Sequence, residues 1–471
     1  MNREKKFLKN TLIITIGKIS TQLITFLLLP LYTTILTTEE YGIVDLLNTL
    51  VSLLIPIVTF QIEQAVFRKL IDSRNNDIEI KKAISTTIFT ITIQSAIYLI
   101  IFCIVAKFIH NDYKYFLATN VITCIYSNIL LQIIRGLGDN RKYAIGSFIT
   151  ALVTLSLNVL FIAKFHWGAY GMLAATFIGN SICCIYLFFT GKIYKYISIK
   201  VYSGKLLKKL WKYSLPLIPN AISWWIFNSS DRIIVTSVLG ISKNGILSAS
   251  YKFSNAFISL YSIFNLTWTE SAALHIDDKD SDEYFTKIIN VLLKLFTSIC
   301  FGIIAIMPFA FPILINIKFK EAYNQIPILM ISSIFNVIVG LLSVIYIAKK
   351  DTKAVAKTSI IAAIINLIVN ISLIRFIGLY AASVSTLVSY CAMAVYRLRD
   401  VRKYITIIID STFIKTSLIM AILLCTSYYI NNLYLNIFMI LLTLFYTWII
   451  NKKSIKMIFS LLQNYYKKHK I

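Results

Sequence analysis

Three cations stand inside long apolar runs of this chain: Lys18, Arg232 and Lys252. A charge at the centre of a membrane helix costs roughly 2.5 to 3.5 kcal/mol on insertion scales, so such groups face protein or water and not acyl chains. Held that way, they can neutralise an anion that would otherwise be stranded in hydrocarbon, while hydroxyl and amide side chains replace water on its polar groups. Helical spacing supplies those neighbours. Thr11, Thr15, Lys18, Gln22 and Thr25 fall on one face of an α-helix. So do Asp45, Asn48, Ser52, Pro56, Thr59 and Glu63, and again Ser248, Lys252, Asn255, Ser259 and Ser262. Trp225, Asn228 and Arg232 make a fourth stripe, with Asp231 beside the arginine.

The elements that position these faces are membrane helices. The 471 residues are 58% hydrophobic and 14% charged, with a mean hydropathy of +0.74, too few polar residues to cover a water-facing globule. A span needs about 20 mostly apolar residues. That length predicts an all-α polytopic membrane protein of about fourteen helices, over 11–36, 43–62, 83–106, 115–134, 143–163, 171–190, 214–238, 245–270, 289–317, 325–347, 355–375, 379–396, 408–429 and 432–450. No cleavable signal pattern is expected at the first run, which stays as a helix.

Loop charges orient the spans. With a cytoplasmic N-terminus, alternate gaps take about 35 of the 47 Lys and Arg, against about 7 in the opposite gaps. Both termini are expected in the cytoplasm of a multi-pass protein of the inner (plasma) membrane. The net charge of +26 then reflects topology and anionic headgroups, and no nucleic-acid partner is expected. The seven cysteines lie in apolar runs without ligand spacing and the four histidines are scattered, so no metal and no cofactor are expected.

An internal repeat organises the chain. Leu36 to Val44 aligns with Leu239 to Leu247, Gly138 to Asn158 with Lys350 to Asn370, and Gly168 to Gly171 with Gly378 to Ala381. Two parallel copies are a recurrent transporter plan with the substrate path between them. The expected divisions are an N-terminal lobe at 1–191, a cytoplasmic linker at 192–212, a second six-helix lobe at 213–404, two added helices at 405–450 and a basic amphipathic tail at 451–471. The offset superposes the polar stripes: Gln22 on Trp225, Thr25 on Asn228, Ser52 on Asn255, Pro56 on Ser259. Spans one, two, seven and eight are therefore read as turning polar faces to a shared cavity lined by Lys18, Arg232 and Lys252, with Asp45 toward the outer mouth and Glu63 toward the inner one. Plainer readings stay open beside this one. Lys18 can snorkel, Arg232 can belong to a structural ion pair, Asp45, Glu63 and Asp231 can be helix-end or gate residues, and Trp224 and Trp225 can simply pack. Lys294 and Lys415, near inner helix ends, read as snorkelling lysines.

Leu36-Thr-Thr-Glu-Glu-Tyr-Gly42, Tyr213-Ser-Leu-Pro-Leu-Ile-Pro-Asn220, Ser230-Asp-Arg-Ile-Ile234 and Ser250-Tyr-Lys-Phe253 resemble the Wzx-type polysaccharide flippases, relatives of the lipid II flippases and the MATE drug exporters. The resemblance spans essentially the whole chain. It implies a V-shaped pair of six-helix lobes that moves an undecaprenyl-diphosphate-linked oligosaccharide to the outer leaflet by alternating access, for O-antigen, capsule or exopolysaccharide. It also implies membrane lipids, and the polysaccharide polymerase and chain-length machinery, as partners. An enzyme is not expected. Asp278-Lys-Asp280 and Asp280-Ser-Asp282 match a glycosyltransferase Asp-x-Asp but sit in a short loop, and no phosphate-binding Gly-Lys-Ser/Thr loop occurs. Transport would then draw on substrate supply, product removal or an H+ or Na+ gradient. A MATE-type exporter is the first rival, although span one carries Lys18 and no acid. A polymerase or membrane glycosyltransferase is the second, with outer gaps all about ten residues or shorter.

Overall fold

The computed structural model describes residues 26, 28–74, 76–108, 111–349 and 351–468. Among them every regular element is helical, and eleven helices are long and apolar enough to cross a membrane. The chain divides into two compact units, Met1–Ser248 and Ala249–Ile471.

The first unit contains α1 (Leu29–Ile35), α2 (Thr38–Thr59), α3 (Ile62–Asp72), α4 (Asp77–Val105), α5 (Lys114–Gly136), α6 (Asn140–Asn158), α7 (Gly168–Thr190), α8 (Gly204–Ser214) and α9 (Ile218–Leu239). Its start signals are local. Thr37 caps α2 by accepting the Glu40 N–H at 3.1 Å while the Glu40 carboxylate accepts the Thr37 N–H at 2.9 Å, so two orphan amides are satisfied reciprocally. Pro219 at the start of α9 has no N–H to leave orphaned, and a three-residue 3-10 turn over Leu215–Leu217 delays that helix beyond the expected residue 214. Sequence hydropathy carries span two to residue 62, but α2 ends at Thr59. Phe60 and Gln61 both adopt left-handed backbone, φ 51° and 57°, which interrupts the helical ladder. The chain restarts as α3, which buries Ile62, Ala65, Val66 and Leu70 against α5 and α8. The linker also helps to close this core: α8 buries Leu206, Leu207 and Leu210 and leaves Lys205, Lys208, Lys209 and Lys212 exposed, a typical amphipathic helix.

The helix α10 (Ile241–His275) carries the chain across the division between units. Like α9, it is long enough to span yet falls outside the eleven apolar helices, because these two carry the densest polar stripes. The second unit continues with α11 (Ser281–Leu314), α12 (Glu321–Ala348), α13 (Thr352–Ile377), α14 (Tyr380–Asp400), α15 (Ser411–Ile430) and α16 (Leu433–Lys468). In it α14 packs on α12 and α13, and α11 packs on α16. The basic tail is not a separate element. It continues the last span as a single 36-residue helix, about 54 Å at 1.5 Å per residue, well beyond a hydrocarbon core of about 30 Å.

Candidate functional site

The polar face of α2 meets α9. Asp45 on α2 accepts from Nε of Arg232 on α9 at 2.9 Å, and Nη1 of Arg232 donates to the Asn228 carbonyl at 2.9 Å. Their side chains keep 18% and 12% of their accessible surface, so the pair is mostly withdrawn but reachable. One turn along, the Trp225 indole N–H donates to the Thr49 carbonyl and to Ser52 Oγ, both at 3.0 Å. Asn228 caps its own helix backbone through the Trp224 carbonyl at 2.7 Å, and Asn48 and Ser52 are exposed. The structure thus brings Asp45, Ser52, Asn228 and Arg232 together. Asp45, a carboxylate partner of the arginine, lies 187 residues away in sequence. Asp231, its neighbour in sequence, is itself buried at 1% exposure.

Lys18, Gln22 and Thr25 lie outside the described residues. Lys252, Asn255 and Ser259 lie on α10 within the second unit. Lys252 and Ser259 are half-buried, Asn255 is exposed, and Ser259 Oγ donates to the Asn255 carbonyl at 2.8 Å.

Glu63 follows the left-handed break and is buried, at 7% exposure. Its Oε2 has no hydrogen-bond partner among the described residues, and burial raises its carboxyl above the ordinary glutamate range, only partly offset by hydrogen bonds from its own backbone and from Thr59.

Two features are missed in reading the one-dimensional pattern. The first is a crossing of glycines. Gly42 and Gly245, positions that the internal repeat aligns, lie against each other. A Cβ on Gly42 would come within 2.9 Å of the Gly245 nitrogen and closer still to the Ile241 carbonyl oxygen. A Cβ on Gly245 would come within 2.9 Å of the Gly42 nitrogen and closer still to the Thr38 carbonyl oxygen, and Thr38 and Ile241 are also repeat partners. The backbones meet reciprocally, as repeat-related segments do about a local two-fold. Asn244, fully buried, donates to the Gly42 carbonyl at 3.0 Å, and the Thr38 and Ser242 hydroxyls are 2.6 Å apart. The aligned glycines were the available signal.

The second is Arg397, which the loop-charge count assigns to the cytoplasmic surface. It is fully buried in the second unit. Its guanidinium donates to the Val339 carbonyl at 3.0 Å, to Thr358 Oγ1 at 3.0 and 2.7 Å, and to Ser343 Oγ, binding α12, α13 and α14 together. Just beyond it Tyr346 donates to Asp400 at 2.8 Å, Tyr404 to Asp351 at 2.7 Å, and Lys403 pairs with both carboxylates. Lys294, read from the sequence as a snorkelling lysine, has a carboxylate partner. It pairs with Asp410 at 2.8 Å, and that hydrogen bond holds the Asp410 carboxyl below its ordinary range.

Membrane-length helices arranged this way, two of them joined by an ion pair, define a polytopic helical membrane fold. The fold is shared with several solved structures. The lipid II flippase MurJ in an inward closed conformation superposes with a TM-score of 0.69 at 16% identity, over 94% of this chain and 100% of that one. An inward-facing multidrug resistance MATE family transporter of the MOP superfamily gives 0.65 at 10% identity, over 80% and 92%. A MOP superfamily transporter from Pyrococcus furiosus, reported with a binding pocket of reverse polarity suggesting a different function, gives 0.56 at 12% identity, over 85% and 96%. A family model described as polysaccharide biosynthesis protein matches residues 7–269, more than half of the sequence, and the chain belongs to that family. No curated protein matches the sequence.

Proposed function

We propose that the protein flips an undecaprenyl-diphosphate-linked oligosaccharide repeat unit from the inner to the outer leaflet of the bacterial plasma membrane, for surface polysaccharide synthesis. Membership of the polysaccharide biosynthesis family supports the cargo class. The observation that carries the mechanism is Arg232, held at 2.9 Å by Asp45 inside a membrane-length helix pair. A guanidinium already matched to a carboxylate suits any planar pair of anionic oxygens, and a diphosphate offers that face with more charge. Exchanging one anion for another avoids leaving a bare cation in a low-dielectric site, which is the costly alternative. Asp45, once released, is the carboxylate that a coupling H+ or Na+ would neutralise. Lys252 supplies a second cation, and Asn48, Ser52, Asn228, Asn255 and Ser259 supply hydrogen bonds for sugar hydroxyls. Lys18, Gln22 and Thr25 extend the same stripe on span one, and Glu63 and Asp231 remain the gate candidates.

The test is complementation of a host deletion strain. Arg232→Ala and Lys252→Ala should each abolish surface polysaccharide, with complete lipid-linked units accumulating on the inner face and membrane insertion intact. Normal surface polysaccharide in both variants overturns the mechanism. A deletion that instead displays single repeat units outside would indicate a polymerase, and one that produces drug sensitivity alone would indicate an exporter.

A further inference from the structure

A cleft of about 490 Å³ opens in the first unit away from the helices that carry the polar stripes. Asp77, Lys81, Lys142, Thr190, Lys192 and Lys195 line it, together with Gly191 and Tyr196. The turn after α7 builds one wall. Gly191 is packed so tightly that a Cβ there would collide with Ile134 Cδ1 and the Leu187 carbonyl oxygen. Lys192 then takes left-handed backbone, φ 52°, and a 3-10 turn over Ile193–Lys195 follows, anchored by a fully buried Ile193. Lys192 before that turn and Lys195 at its end both line the cleft. Lys81 comes from the first turns of α4 and Lys142 from the start of α6. Lys142 is paired with Asp139 at 2.8 Å, whereas Lys81, Lys192 and Lys195 form no ion pair among the described residues. Three unpaired ammonium groups around one cleft, with Asp77 as the only carboxylate in its lining, repel one another unless an anion lies between them.

We propose that this cleft binds the phosphate of an anionic phospholipid headgroup. The orientation given by the loop charges puts it at the inner leaflet, where basic pockets between helices hold such headgroups. The three spans that meet there are poorly covered by protein: only 28%, 22% and 33% of the apolar windows of Asp77–Val105, Asn140–Lys164 and Gly168–Thr190 are buried. The remainder is not covered by protein, which leaves room for the tails of a headgroup in the cleft. None of these helices carries the Lys18, Asp45, Arg232 or Lys252 stripes, which separates the cleft from the path proposed for cargo.

The experiment uses the full chain purified in mild detergent, with retained lipid counted by native mass spectrometry against phosphatidylglycerol and phosphatidylcholine. Wild type should hold phosphatidylglycerol preferentially, and Lys81→Gln/Lys192→Gln/Lys195→Gln should lose it, at roughly fivefold per lysine removed. The matched triple arginine variant should keep it. Lys205→Gln/Lys208→Gln/Lys212→Gln removes the same charge from α8 and should also keep it. Equal loss in the α8 variant would reduce the effect to general basicity and overturn the site. Displacement of the lipid by millimolar pyrophosphate would assign the cleft to a soluble phosphate. Retention of polyprenyl diphosphate in place of phosphatidylglycerol would assign it to cargo. Either result also overturns the proposal, while leaving the Arg232 mechanism to its own test.

Discussion

Substituting alanine at Gly42 forces a carbon to within 2.9 Å of the Gly245 nitrogen and closer still to the Ile241 carbonyl oxygen, where ordinary contact begins near 3.4 Å. Both obstacles are backbone, so no side chain can rotate away, and the two segments must part by at least about 0.5 Å. Overpacking of this kind costs about 1 to 3 kcal/mol. The separation also stretches the Asn244 to Gly42 hydrogen bond and the Thr38 to Ser242 contact, each worth about 1 kcal/mol. The expected loss for Gly42→Ala is therefore about 2 to 4 kcal/mol, and the reciprocal geometry predicts the same for Gly245→Ala. The double variant carries the sharper test. Once the segments have parted for the first methyl group, the second enters space already opened, so the double loss should fall short of the sum by about 1 kcal/mol or more. Unfolding of the purified protein in detergent, followed by intrinsic tryptophan fluorescence, measures all three. Single variants within about 0.5 kcal/mol of wild type, or a strictly additive double, would refute the crossing as drawn.

Other consequences are as direct. The Glu63 carboxyl has a raised folded-state pKa, so its contribution to stability is fully present below the ordinary glutamate value and is lost as pH rises through the folded value. Glu63→Gln should accordingly stabilise the protein at pH 7 and leave it unchanged at pH 4; a pH-independent effect in thermal unfolding would refute this. Arg397→Ala should cost about 3 kcal/mol, because it leaves the Val339 carbonyl and the Ser343 and Thr358 hydroxyls without their buried donor. A variant as stable as wild type would show that these groups find other partners. Asp45→Asn/Arg232→Gln should unfold in detergent at a higher temperature than Arg232→Ala alone, since no unpaired charge remains, yet in the deletion strain should still export no polysaccharide; normal export would remove Arg232 from the mechanism.

Much of this architecture was legible because the bilayer imposes a one-dimensional code. Hydropathy located the spans, and period-3.6 stripes singled out α2, α9 and α10 as the polar helices before any contact was known. The errors have local causes. The end of α2 depends on two non-glycine residues in left-handed backbone, which composition does not announce. Lys294 reads as a snorkelling lysine from its place near a helix end, and Arg397 counts as a surface cation to a rule that tallies loops. One instead pairs with Asp410, 116 residues on, and the other is fully enclosed while Arg399, two positions later and about 200° around α14, is exposed.

The sequence by itself determined the class of the protein, its helical content and its family, because apolar length, periodicity and short motifs are properties of consecutive residues. Tertiary structure alone decided which charges meet. Asp45 and Arg232 find each other across 187 residues, and Gly42 and Gly245 touch only because each lacks a side chain at one backbone crossing. A stripe states which residues share a helix face. The neighbour against which that face is turned is set by packing over the whole unit.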